Sequence, residues 1–230
     1  MWVARSHPGW VRQRNEDAFI GRPEIGLFAV ADGMGGLVAG DRASRAAIDA
    51  LARIPPQDTL VGLDREVERA LTAVHEQLRD AVLEVGPCGT TVVVLLLAGE
   101  DFRVLWCGDS RAGRLRAGRL EWLTTDHNLA AQLVRSGRLA DEEARRHPLA
   151  SRLTRALGCY PELQLERVAG RVSASDLFLL CTDGLTGELR DAEIASALAG
   201  SDLETMADCL SRAALAGNAH DNITFLLVRP

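Results

Sequence analysis

The chain has 230 residues, 47% of them hydrophobic and 25% charged. That composition excludes disorder and fibrous repeats, and a chain of this length suits one globular domain, or at most two small ones, with no need of a disulfide or metal staple. A formal net charge of −6 excludes a general nucleic-acid binder, which carries a strong basic excess.

In chain order, Leu27 to Ala31 is a short apolar run that stops at Asp32-Gly33, the mark of a buried strand ending at a turn. Val38 to Ile54 has helical spacing, with Ala43, Ala46, Ala47, Ala50 and Leu51 on one face, and Pro55-Pro56 ends it. Asp64 to Val85 is the clearest helix: Val67, Leu71, Val74, Leu78 and Val82 recur at steps of three and four, and Gly86-Pro87 closes it. Thr90 to Ala98, Phe102 to Cys107 and Ala112 to Arg116 read as a meander of strands, to which Leu120 to Leu123 adds another. Asn128 to Ser136 and Ala140 to Arg146 read as short helices in an arginine-rich segment. Leu163 to Val168 and Asp176 to Cys181 return to strand character. Asp191 to Leu198 and Ser201 to Ala216 are helical, the second opened by the capping box Ser201-x-x-Glu204, and Asn222 to Arg229 closes as a strand. Strands in hairpin-like runs with helices in groups favour an antiparallel, layered α+β fold over a doubly wound one.

All 26 basic residues are arginine. The chain therefore has no P-loop lysine, no kinase strand lysine and no lysine for a Schiff base. The five cysteines (Cys88, Cys107, Cys159, Cys181, Cys209) are odd in number and lack a CxxC pair, which fits reduced thiols in a cytoplasmic protein. Residues Met1 to Arg5 show no signal-peptide core, and no apolar run approaches the about 18 residues of a membrane span. The expectation is a soluble cytoplasmic chain without a membrane or sensor module.

Acid stands beside a turn at the edge of an apolar run in five places: Asn15-Glu16-Asp17, Asp32-Gly33, Asp109-Ser110, Asp183-Gly184 and Asp221-Asn222. A strand that stops at Asp-Gly leaves a carboxylate and a backbone carbonyl at the sheet rim. If several rims converge, each close pair repels by about 4 kcal/mol at an effective dielectric of about 20. Bound cations or raised pKa values relieve that repulsion. Oxygen-only ligands select Mg²⁺ or Mn²⁺ over zinc. Taken singly, each Asp-Gly is also an ordinary turn.

The wording around those acids is more specific. Arg12-x-x-Asn15-Glu16-Asp17, Val30-Ala31-Asp32-Gly33-Met34-Gly35-Gly36, Gly89-Thr90-Thr91, Gly108-Asp109-Ser110-Arg111, Thr182-Asp183-Gly184-Leu185 and Asp221-Asn222-Ile223-Thr224 occur in that order. The series resembles the metal-dependent type 2C serine/threonine protein phosphatases, most of all their compact bacterial members. Leu133 through Gly137 and His147-Pro148 to Leu157-Gly158 resembles the flap subdomain of those members, at about residues 128–160. The resemblance implies a four-layer α-β-β-α sandwich of two antiparallel sheets flanked by helix pairs, and a dinuclear Mn²⁺ or Mg²⁺ site at one end. It further implies that Asp32 bridges the ions, that Asp183 and Asp221 hold one, and that the Gly33 carbonyl reaches the other. Asp17 and Glu16 would act directly or through water. Asp109 matches a position that, with Asp183, holds a third and weaker ion in bacterial members. Arg12 matches the arginine that grips the substrate phosphate, and a metal-activated water attacks phosphorus with no phosphoenzyme. The implied partners are phosphorylated proteins and the serine/threonine kinase that the enzyme opposes; the expected state is a monomer, with neither nucleic acid nor membrane as a partner.

Met34 departs from the histidine that many members carry there, and a thioether donates no proton. A metal-bound water is the first candidate donor and His127 the second, its alternative being a structural hydrogen bond at a strand end. His220 reads as a surface residue or a neighbour of Asp221; His7, His75 and His147 read as surface or structural. The glycines Gly33, Gly35, Gly36 and Gly40 suit close backbone approach at the metals, and Thr90-Thr91 suits strand packing under the site. Arg135, Arg138, Arg145, Arg146, Arg152 and Arg155 form either a solvated face or a flap surface that receives acidic phosphoprotein segments. Two rival functions stay open: a metal-dependent hydrolase of small phosphoesters, and a non-catalytic relative that binds partners. Intact Asp32, Asp183 and Asp221 weigh against the second.

Overall fold

The computed structural model describes residues 1–35, 39–81, 88–144 and 147–230. Two antiparallel sheets carry the fold. In spatial order the first joins β1 (Trp2–His7), β11 (Ile223–Val228), β10 (Leu177–Cys181), β7 (Arg111–Arg116) and β8 (Arg119–Trp122). The second joins β2 (Asp17–Arg22), β3 (Leu27–Met34), β5 (Val92–Ala98), β6 (Asp101–Cys107) and β9 (Glu166–Arg171), with the short β4 (Gly89–Thr90) on β3. Helices α1 (Ala39–Ala52) and α2 (Leu60–Asp80) lie on the second sheet, while α5 (Asp183–Glu188), α6 (Asp191–Ala197) and α7 (Leu203–Leu215) lie on the first. The layers are therefore helix, sheet, sheet, helix, as the resemblance implies.

The strands are apolar on both faces because both faces are covered. In β5, Val92, Val94 and Leu96 pack on Leu51, Val67 and Leu71 of the helices, whereas Val93 and Leu95 point into the layer between the sheets. β11 alternates the same way: Phe225 and Leu227 meet Leu210 of α7, and Leu226 and Val228 meet Phe28 and Val104 across the sandwich. Among the described residues, no helix is long and apolar enough to cross a membrane.

Several local expectations shift. α2 begins at Leu60 because Thr59 caps it, its side chain accepting from the Gly62 N–H at 3.0 Å. The helix at Ser201 is capped by Asp202, which accepts from the Thr205 N–H at 2.8 Å, so the Ser201-Glu204 box is not the cap. Asp183-Gly184 is the first turn of α5, and Leu163 to Val168 becomes strand only from Glu166. Val38, Val82, Val85, Gly86-Pro87, Gly36, Arg145 and Arg146 lie outside the described residues.

Strand register decides where the acids fall. Asp17 opens β2 directly opposite Asp32 near the end of β3. Cys181 ends β10 opposite Phe225 of β11 and Arg111 of β7, so Asp183, Asp221 and Asp109 leave their strands at one end of the first sheet. Val92 opposite Cys107 brings the end of β6 to the same rim of the second. Between β8 and β9 the chain leaves both sheets, carrying α3 (Leu129–Arg135) and α4 (Asp141–Ala144). That excursion is pinned by single bridges between Asn128 and Leu153 and between Thr90 and Leu157.

Candidate functional site

A cavity of about 340 Å³ opens at the rim where these strands end. Arg12, Glu16, Asp32, Gly33, Asp109, Asp183 and Asp221 all line it. Asp17 does not reach the wall. It is sealed just behind, 9% exposed, with Oδ2 accepting from Thr182 Oγ1 at 3.0 Å.

Backbone contacts aim these groups. The Asp32 N–H donates to Thr91 Oγ1 at 3.1 Å, and its carbonyl accepts from Thr90 Oγ1 and the Thr91 N–H, both at 2.9 Å. Thr91 Oγ1 in turn meets Ser110 Oγ at 2.6 Å, tying β5 to the turn that holds Asp109. Thr90-Thr91 is thus a hydrogen-bonded brace as well as packing. Asn222 fixes the opposite wall: Oδ1 accepts from the Glu16 N–H at 2.8 Å, and Nδ2 donates to the Pro8 and Arg14 carbonyls at 2.9 Å. Gly33 must be glycine, since a Cβ there would stand 2.1 Å from the Gly40 carbonyl oxygen and 2.7 Å from that of Glu16. The close approach of Gly33 and Gly40 is to each other's backbone.

The electrostatics are those of crowded acids. Lost hydration, then Asp183 and Asp221, push Asp17 up to about 7, against hydrogen bonds from Thr224 and Thr182. Lost hydration, then Asp17 and Asp183, raise Asp32 well above the usual carboxylate range. Asp109 rises for the same first reason, with Asp183 and Asp126 adding to it. Asp183 rises through lost hydration and Asp221, offset by a hydrogen bond from Asp32. Burial and mutual repulsion thus disfavour the fully charged state of Asp32 and Asp183 in the absence of a cation.

Two carboxylate oxygens, Asp17 Oδ1 and Asp183 Oδ1, are buried with no hydrogen-bond partner. A buried acceptor left bare is costly unless a donor or a cation faces it. The all-oxygen donor set and these orphaned atoms fit hard divalent ions. Among the described residues, no three His, Cys, Asp or Glu side chains are closed tightly enough to hold an ion as they stand; the acids are spread around the cavity wall.

Arg12 stands at the mouth, 53% exposed, with Nη2 donating to Asp221 Oδ2 at 2.8 Å. Met34 forms part of the wall. His127 is not in the cavity lining: it is buried, stacked on Trp106, and its Nδ1 accepts from the Gly108 N–H at 3.1 Å. It braces the turn before Asp109, the structural alternative named for it. His220 is exposed, its backbone N–H donating to Glu188. His147 comes closer than its sequence suggests, lining an adjoining cavity with Asp109 and Asp183. Reading the sequence also assigned no role to Arg111, Asp126 and Thr182. Arg111 holds both oxygens of Asp126 at 2.7 and 2.6 Å, and Asp126 adds to the field on Asp109 and Asp183. None of the five cysteines is in a disulfide, and Cys88, Cys107 and Cys181 are buried.

Residues 11–220 match the protein phosphatase 2C family. The serine/threonine protein phosphatase PstP of Mycobacterium tuberculosis is 36% identical over 98% of this chain, which spans only 44% of that relative's length. Among solved structures, PppA, described as a key regulatory component of the T6SS in Pseudomonas aeruginosa, is 39% identical and superposes with a TM-score of 0.91 over 100% of this chain and 96% of its own. The catalytic domain of PstP in complex with two manganese ions is 35% identical, with a TM-score of 0.86 over 99% of this chain and 96% of its own. Motif order, layered sandwich and acid-lined rim agree with these matches, and the chain belongs to the protein phosphatase 2C family.

Proposed function

We propose that this chain removes phosphate from phosphoserine and phosphothreonine in proteins, using divalent ions held at the rim. Asp32 would lie between two ions, Asp183 and Asp221 would hold one, and the Gly33 carbonyl would reach the other. Asp17 and Glu16 would act directly or through water, and Asp109 with Asp183 would take a third ion. When bound, such ions supply an acidified water as nucleophile and neutralise charge on the phosphate.

The protein's own groups do the rest. Arg12 presents a planar fork that can engage two phosphate oxygens at once, which a point charge cannot. Its exposure at the mouth suits first contact with a phosphoresidue on another protein. Thr91, Ser110 and Asn222 fix the backbone that carries Asp32 and Glu16 before substrate arrives, so less reorganisation is left to the reaction. Met34 offers apolar wall and no proton.

The observation that carries this reading is the convergence of six acids from distant stretches on one rim, two of them with buried oxygens that lack a partner. The donor set supports Mn²⁺ or Mg²⁺, and the two manganese ions of the PstP catalytic domain support a pair. We read 1–230 as a single phosphatase domain with its flap at about 128–160, acting as a monomer. Five cysteines without a disulfide support a reducing cytoplasm as its place of work, against a serine/threonine kinase and its substrates.

The test is phosphate release from p-nitrophenyl phosphate and from a phosphothreonine peptide, with Mn²⁺, with Mg²⁺ and with chelator, alongside calorimetric titration of Mn²⁺. Asp32→Asn and Asp183→Asn should abolish turnover, and Asp109→Ala should lower the ion count while the core pair still binds. Chelator-resistant hydrolysis, or near-wild-type rates in either asparagine variant, would refute the assignment.

A further inference from the structure

The cavity at the rim is the first of three in series. A second, of about 250 Å³, shares Asp109, Ser151 and Asp183 with it. A third, of about 280 Å³, shares Arg111, Asp126 and Asn128 with the second and runs beneath α3. Joined, they fall within the about 300–1,000 Å³ of ligand sites.

The third cavity has its own chemistry. Trp122 of β8 and, from α3, Ala131 and Val134 make an apolar shelf, with Arg135 beside it. Ala131, Val134 and Arg135 are spaced three and four apart, so they share one helix face. Arg111 adds no usable charge, because Asp126 takes it at two nitrogens and its guanidinium lies 5.4 Å over the Trp122 ring. Arg135 differs: it is exposed and has no ion pair among the described residues. The third cavity thus offers an apolar seat and, among the described residues, one positive charge without an ion pair, on a protein whose net charge is −6.

We propose that this groove seats the substrate polypeptide flanking the phosphoresidue, with an apolar side chain on the Trp122–Val134 shelf and a carboxylate at Arg135. The proposal rests on the phosphatase reading above and adds a sequence preference to it. Three adjoining cavities, with the phosphate chemistry in the first, suit an extended chain anchored at its phosphate. Apolar pockets discriminate between side chains by about 10–200-fold per group fitted, enough to set a preference.

The experiment uses phosphothreonine nonapeptides in which a Leu-Glu pair is scanned through alanine positions on both sides of the phosphoresidue, with p-nitrophenyl phosphate as the control. Wild type should favour the pair at one offset on one side. Ala131→Phe, which fills the cavity, and Arg135→Glu should each lower kcat/KM for that peptide by about tenfold and leave the aryl phosphate unchanged. Arg135→Glu should also come to prefer the same peptide with arginine in place of glutamate. Arg135 is exposed, so its reversal leaves the fold intact. Flat peptide preference in wild type, or equal losses on peptide and aryl phosphate, would overturn the groove while leaving the phosphatase reading standing. Failure of wild type on both substrates with Mn²⁺ would instead remove the phosphatase reading, and the groove with it.

Discussion

Replacing Arg111 by methionine should be among the most damaging single changes outside the rim acids, and the structure gives its size. Arg111 and Asp126 are only 12% and 15% exposed in their side chains, and two nitrogens bind two oxygens at 2.7 and 2.6 Å. Methionine keeps much of the bulk but leaves the Asp126 carboxylate largely out of water, without its counter-ion and near Asp109 and Asp183, whose pKa values its charge already raises. Removing one partner of a buried pair costs about 3–5 kcal/mol, because the survivor keeps its desolvation without its counter-ion. For a chain of this size that is a fall in Tm of about 6–20 °C. The double variant Arg111→Met/Asp126→Asn removes the charge that was stranded and should regain more than half of the loss. Thermal and urea melts of the four proteins give the coupling directly. A single-variant cost below about 1 kcal/mol would mean the pair behaves like an exposed one, and strictly additive costs would mean the two residues are not coupled.

Gly33→Ala places a methyl 2.1 Å from the Gly40 oxygen, against backbone on both sides; it should cost about 1–3 kcal/mol in urea melts and abolish phosphate release. Wild-type stability in that variant would show that the loop yields. Arg12→Ala should lower kcat/KM on a phosphothreonine peptide by about tenfold or more through the loss of a charged hydrogen bond, chiefly in KM, and an unchanged value would remove its role. His75 accepts from the Gly158 N–H at 3.1 Å, and burial holds its imidazole below the usual 6.5. The folded pKa being depressed, its contribution is complete above about 6.5 and is lost as pH falls through the lower folded value. The stability gap between wild type and His75→Gln should therefore narrow from about pH 7 to about pH 5 in melts, and a gap that widens on acidification would reverse the sign.

The parts of the fold legible in the sequence are those where one residue faces one environment. β5 and β10 are apolar without interruption, and β11 is broken only by Thr224, because each lies between two covered faces, so Asp183 and Asp221 stand out as the points where that burial stops. α2 is legible because its buried stripe repeats down a long helix. β1 and β2 are not, since Trp2–His7 and Asp17–Arg22 mix charge with apolar residues at the ends of their sheets, where pairing supplies what pattern does not. Asp183-Gly184 looks like a turn because a six-residue helix has no periodicity to read.

The site divides along the same line. Its acids could be named because their motifs occur in an order that resembles a known family, although each taken singly is also an ordinary turn. Their supports could not, because every support is a contact between residues far apart in the chain. Thr182 reaches Asp17 across 165 positions, and Asn222 reaches the Glu16 backbone across 206. A threonine hydroxyl or an asparagine amide carries no spacing that points to its partner; only the closing of two sheets at one rim brings them together. The same closure makes the site expensive, since it gathers acids whose repulsion is relieved only by a bound proton, a paired arginine or a cation. Asp126 illustrates the rule: alone it would add to that repulsion, and Arg111, fifteen positions earlier on an adjoining strand, is what makes its presence tolerable.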